Sequence, residues 1–79
     1  YPNPFNPKTT IRFSIPEFQL VNLSVYNMLG QQVITLIDKE LSAGYHVTNW
    51  NAGNIASGIY IYKLTSKGKT LTQKMVLMK

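Results

Sequence analysis

The chain has 79 residues, no cysteine and a net charge of +5, from eight Lys/Arg against three Asp/Glu. This length fits one domain, which hides only roughly 60% of the surface its unfolded chain exposes; without cysteine a disulfide scaffold is excluded and packing alone must hold the core. The longest apolar runs, such as Met75-Val76-Leu77-Met78, fall far short of the ~20 residues that span a bilayer.

The opening Tyr1-Pro2-Asn3-Pro4-Phe5-Asn6-Pro7 carries three of the four prolines. Proline fixes its own φ and pushes its predecessor into extended geometry, so residues 1–8 read as a strand-free lead-in from an upstream linker. They also lack the basic start and apolar stretch of a signal peptide, which an exported precursor is then expected to carry upstream. Residues 9–79 read as the domain proper.

From there the apolar period is two. Ile11, Phe13 and Ile15 alternate with Thr10, Arg12 and Ser14, and Pro16-Glu17 ends this first strand. Val21, Leu23 and Val25 form a second, closed by a tight turn over Asn27-Met28-Leu29-Gly30, where Gly30 supplies the positive φ that hairpin corners commonly need. Val33 to Ile37 makes a third strand whose doublets Val33-Ile34 and Leu36-Ile37 blur the buried face, and Asp38 to Gly44 reads as a polar loop. Tyr45 to Trp50 is a fourth strand with His46, Thr48 and Trp50 on one face. A turn-rich connection over residues 51–58 follows, then a fifth strand with Tyr60, Tyr62 and Leu64 on one face. Lys67-Gly68-Lys69 turns the chain into a sixth strand, Thr70 to Met78. Short strands at this spacing predict an all-β fold, a small antiparallel sandwich of about six or seven strands, with Phe13, Val25, Trp50, Tyr60 and Leu64 in its core.

The residues offer little chemistry. One histidine (His46) and three carboxylates (Glu17, Asp38, Glu40) fall short of the three or four ligands of a zinc site. Ser42, His46 and Asp38 could be assembled on paper as a triad, but nothing resembles a nucleophile elbow. No catalytic, cofactor-binding or metal-binding residue is assigned. His46 reads as a hydrogen-bonded strand residue. Tyr60 and Tyr62 share a face with Leu64, which suits a core better than a base-stacking platform, so nucleic acid is not the expected partner. Five of the eight cations (Lys63, Lys67, Lys69, Lys74, Lys79) follow residue 62, where no acid remains. They are either a solvated basic face guarding edge strands or an attraction for an anionic partner.

Three segments together resemble the type IX secretion C-terminal sorting domain (type A, the Por secretion tail): Tyr1 to Pro7 with Thr9-Thr10-Ile11-Arg12-Phe13; the hairpin Leu23-Ser24-Val25-Tyr26-Asn27-Met28-Leu29-Gly30-Gln31; and Gly58-Ile59-Tyr60-Ile61-Tyr62-Lys63-Leu64 with Lys74-Met75-Val76-Leu77. Gly30 and Gly58 are the motif turns. Asn27 stands where an aspartate is common in the family, and Gln31 where an arginine is common. The resemblance implies an immunoglobulin-like sandwich, related to that of the flagellar hook-capping protein. It implies a non-catalytic address at the end of a cargo protein, which crosses the periplasm of a Gram-negative bacterium to the cell surface or medium. The partners it implies are an outer-membrane translocon and a sortase-like protease that removes the domain.

A candidate grip for the translocon is Lys74, Met75, Val76, Leu77, Met78 and Lys79, where successive apolar residues cannot all face one side of a sheet. Two other classes fit an Ig-like module. A hook-capping-like spacer or assembly unit would lie within a longer protein, whereas a glycan-binding accessory module of an extracellular hydrolase would need exposed aromatics, for which Tyr1, Phe5, Phe18 and Tyr45 are the candidates.

Overall fold

A computed structural model describes residues 8–53 and 55–77. It contains six strands: β1 (Lys8–Ile15), β2 (Gln19–Asn27), β3 (Gln32–Leu41), β4 (Gly44–Asn51), β5 (Gly58–Ser66) and β6 (Lys69–Leu77). No helix occurs among the described residues. β1 pairs with β4 in one antiparallel sheet, and the other has the order β3-β2-β5-β6. The expected all-β sandwich is what forms, with an arrangement consistent with a small immunoglobulin-like domain.

Alternation decides which side of each strand is dry. On β2, Val21, Leu23 and Val25 are completely buried, and Leu23 and Val25 stand beside Leu64 and Tyr62 of β5 on the same inner face. From the smaller sheet Ile11 and Ile15 of β1 and Trp50 of β4 are also buried. The Trp50 ring meets Tyr60 edge-on at 6.0 Å between centroids, joining the two sheets. Val25, Trp50, Ala52, Tyr60 and Leu77 form one core cluster, flanked by Val33, Leu36, Ile55, Tyr62 and Met75. Of the residues expected in the core, Val25, Trp50 and Tyr60 are buried, whereas Phe13 and Leu64 are half-buried. Two strands opposing four leave the borders of the larger sheet thinly covered.

The third strand is longer than the apolar pattern predicts. β3 continues through Asp38, Lys39 and Glu40, and the connection to β4 shrinks to Ser42-Ala43. Asp38 and Glu40 lie opposite Asn22 and Leu20 of β2, on the outer face, so their polarity marks the wet side of a strand. Ladder pairing with β2 overrides the weak strand preference of such residues. The doublets resolve as bulges: Leu23 pairs with Ile37 but Ser24 with Thr35, and Val25 pairs with Ile34 but Tyr26 with Gln32. Leu36 and Val33 are thereby the extra residues, and both pack on the core.

One end of the sandwich is closed by polar contacts between its turns. Lys67 and Gly68 both have positive φ (49° and 77°) and join Ser66 to its partner Lys69, as a two-residue type I′ hairpin requires. The Ser66 hydroxyl is shared between Gln19 Oε1 and the Leu20 carbonyl. Gln19, itself buried, donates through Nε2 to the Glu17 carbonyl at 3.1 Å. Lys67 Nζ is paired with the Glu17 carboxylate. On the outer face of β2, the buried Ser24 hydroxyl donates to Asn22 Oδ1 at 2.8 Å and lies 3.3 Å from Thr35 Oγ1.

Replacing Leu23 by alanine is expected to cost about 2–5 kcal/mol, a large share of what a domain of this size has. In urea denaturation followed by Trp50 fluorescence the midpoint should collapse. Leu20→Ala, at a position 59% exposed, should move stability by no more than ~0.5 kcal/mol. The hydrogen bond and charge of Lys67 hold the Glu17 carboxyl below its ordinary value of 4.5. A depressed folded-state value means that this pair supports the fold above the unfolded pKa, and that its support is lost as pH falls through the folded one. An NMR titration should find Glu17 protonating below 4.5 in the native domain and moving back toward that value in Lys67→Met.

Candidate functional site

The last strand is where the sequence places the grip. In the structure, Leu77 is 5% exposed and belongs to the core cluster, and Met75 packs against that cluster. Val76, between them, points out and is 61% exposed. It pairs across the ladder with Ile59 of β5, which is 41% exposed. Lys74, also exposed, pairs with the half-buried Ile61. The strand thus divides by parity, as its consecutive apolar residues require: one face anchors the strand and the other carries an apolar pair edged by a lysine. Met78 and Lys79 lie outside the described residues.

Farther along this outer face, Lys63 sits over the Tyr26 ring, its Nζ 5.0 Å from the centroid. The quadrupole of the ring attracts the ammonium, and the lysine stem lies beside Ser24, its cross-strand neighbour. Gly58, one of the two motif glycines, opens β5 opposite Leu77.

The other, Gly30, has φ +84° in the turn between β2 and β3, and Asn27 organises this turn. Its Oδ1 accepts from the backbone N–H of Leu29 at 2.9 Å and of Gln31 at 3.0 Å, the local bonding that makes Asn and Asp turn formers. Its Nδ2 donates to Gln31 Oε1 at 2.8 Å, and its backbone N–H and C=O pair with Gln31 O and Gly30 N, both at 3.0 Å. Asn27 and Gln31 are therefore two ends of one contact, an amide–amide hydrogen bond across the turn. On this hydrogen-bonded turn Met28 and Leu29 are 60% and 83% exposed.

Residues weighed for other chemistry are placed apart from any reactive arrangement. His46 stacks on Phe13 at 5.5 Å between ring centroids. Its Nε2 donates to the Ser42 carbonyl at 2.7 Å, so the contact is with backbone and not with the Ser42 hydroxyl. Asp38 lies on β3 opposite Asn22, with no relay to His46 formed. No group of three or more His, Cys, Asp or Glu that could hold a metal ion occurs among the described residues. Tyr60 is buried with its hydroxyl donating to the Ala56 carbonyl at 2.7 Å, which leaves it unavailable for stacking with a ligand. Phe18 and Tyr45 are exposed; Tyr1 and Phe5 lie outside the described residues. Among the described residues no helix is long and apolar enough to cross a membrane.

Sequence reasoning missed the exposed Met28-Leu29 tip and Leu71, which is 60% exposed although it lies on the inner face of β6. For the tip a signal was present, since two apolar residues inside a four-residue turn have no strand to bury them. For Leu71 there was none, because coverage depends on which strands oppose β6.

No curated protein and no solved structure matches the chain. The family model described as the secretion system C-terminal sorting domain (Por_Secre_tail) matches residues 1–78, nearly the whole of the chain. The match takes in the outer-face strands, the Asn27 turn and the closing hairpin alike: the chain belongs to the family of C-terminal sorting domains that mark proteins for type IX secretion.

Proposed function

We propose that this domain is a non-catalytic address, read in its folded form by the outer-membrane translocon of the type IX system, and that the reader grips residues Lys74–Lys79, which begin in the far end of β6. The observation that carries this reading is the division of that strand, with Met75 and Leu77 seated in the core and Val76 turned out beside Ile59. Anchoring one face fixes the position and orientation of the other, so a receptor meets the same apolar pair, with Lys74 at its edge, on every cargo. Buried apolar contact supplies affinity, and the flanking charge supplies orientation.

Around this grip the finer route follows from the family. A precursor reaches the periplasm of a Gram-negative cell by an upstream signal peptide, and cargo precedes the domain. The proline-rich lead-in expected over residues 1–8 lies between cargo and domain, its last residue, Lys8, being already paired with Asn51 in β1, and a sortase-like protease cuts upstream of it. The exposed Phe18 and Tyr45 favour one second reading, a glycan-binding accessory module. Loss of polysaccharide retardation in a Phe18→Ala/Tyr45→Ala double variant would be its mark.

Deleting Lys74–Lys79 would remove core residues together with the grip, so a point change separates folding from recognition. Val76→Lys alters an outward side chain and is expected to leave the urea midpoint within ~0.5 kcal/mol of the parent. Export of a reporter fused ahead of residues 1–79 should nevertheless fall at least severalfold. Undiminished export of the folded Val76→Lys fusion would remove this face as the grip.

A further inference from the structure

The two-stranded sheet covers the inner face of the larger one over β2 and over the far half of β6, but not over its near half. From Lys69 to Lys74, β6 is exposed on both faces. Leu71 pairs with Leu64 on the inner side and is nevertheless 60% exposed. Beside it opens a cavity of about 440 Å³ walled by Ile15, Pro16, Leu64, Leu71, Lys67 and Lys69. An apolar side chain on the core side of a sheet, next to an apolar hollow, lacks one strand of cover.

The two edges of the four-stranded sheet differ in a way that bears on what could supply this cover. Sheet edges carry unpaired N–H and C=O groups, and bulges are one way of blunting them. β3 is bulged twice. β6 is not: its ladder with β5 runs without a register shift from Gly58↔Leu77 to Ser66↔Lys69, and among the described residues no strand pairs with its other, straight edge. The charge at this edge is one-sided. Lys69 and Lys74 are exposed, no acidic residue follows Glu40 in the chain, and Glu17 is held by Lys67. A second copy with net charge +5 would bring like charges together, whereas an acidic strand would be drawn in.

We infer that the edge of β6 between Lys69 and Lys74 accepts an extended acidic segment of a partner protein by strand addition. Parity dictates its pattern. Residues opposite Lys69 and Leu71 share the inner face and the residue opposite Lys74 lies on the outer one. The segment therefore carries an acid, an apolar residue two positions on and an acid three positions further, or the reverse order when it runs antiparallel. The apolar side chain covers Leu71 and enters the hollow. This surface lies on the near half of the strand whose far end serves the sorting reading, and it stands whether or not cargo is exported.

The test uses the 79-residue domain and two capped peptides, Glu-Thr-Val-Thr-Thr-Glu and Glu-Thr-Thr-Val-Thr-Glu, with lysine-for-glutamate versions of both. Amide NMR titrations should give saturable shifts centred on Lys69–Lys74 with one glutamate peptide, and new protection of edge amides from exchange. Affinity should weaken with salt and fall by about tenfold in Lys69→Glu/Lys74→Glu, a factor worth ~1.4 kcal/mol, with the lysine peptide gaining in turn. If that variant melts early, Lys69→Gln/Lys74→Gln makes the same comparison. Absence of saturable shifts with either glutamate peptide, equal binding of the lysine versions, or shifts shared with the β3 edge would each overturn the inference.

Discussion

Val21, Leu23 and Val25, the inner face of β2, are the residues on which both sheets close, and all three are without exposure. β2 has β3 on one side and β5 on the other, so its interior side chains meet neighbours along the sheet, and Val25 shares one cluster with Trp50 of the smaller sheet. Each buried aliphatic side chain of this kind contributes about 1.5–3 kcal/mol relative to exposure. No disulfide supplements that sum. Because the lid is two strands wide and the floor four, burial falls off across the floor, from Leu23 through the half-buried Leu64 to the largely exposed Leu71. One mismatch in strand number thus sets both where the core ends and where the surface offers apolar contact.

Much of this was legible as period two. The alternations in β1, β2, β4 and β5 mark the same inner faces that the structure buries, and the single glycine in the Asn27 turn marks its positive φ. β3 was legible only in part. Asp38 and Glu40 read as loop because charge and strand rarely coincide, yet they sit on the wet side of a ladder held by β2. Its apolar doublets have no meaning in a regular strand and become clear once two bulges place Val33 and Leu36 against the core. The pairing of β1 with β4 was not legible at all, since an intervening hairpin separates them in sequence and no local signal announces the crossover. The exposure of Leu71 follows from that pairing and was hidden for the same reason.

An address must keep one shape while presenting something to hold. In the reading proposed above, the parity of β6 meets both demands, since Met75 and Leu77 tie the strand down and Val76 is left outward beside Ile59. The Asn27 turn repeats the logic at the β2–β3 corner, where side-chain and backbone hydrogen bonds hold Met28 and Leu29 out in water. The lysines of β5 and β6 make this half of the molecule basic. Lys63 is held on Tyr26 and Lys67 on Glu17, whereas Lys69 and Lys74 are exposed on the edge strand.

The most direct measurement is export of a fluorescent reporter, carrying a signal peptide and followed by residues 1–79, in two Gram-negative strains that differ only in possessing a type IX translocon. Reporter at the surface or in the medium of the translocon-bearing strain, and retained in the periplasm of the other, is the predicted result. Folded reporter held in the periplasm of both strains would contradict the account and leave the domain as a structural module.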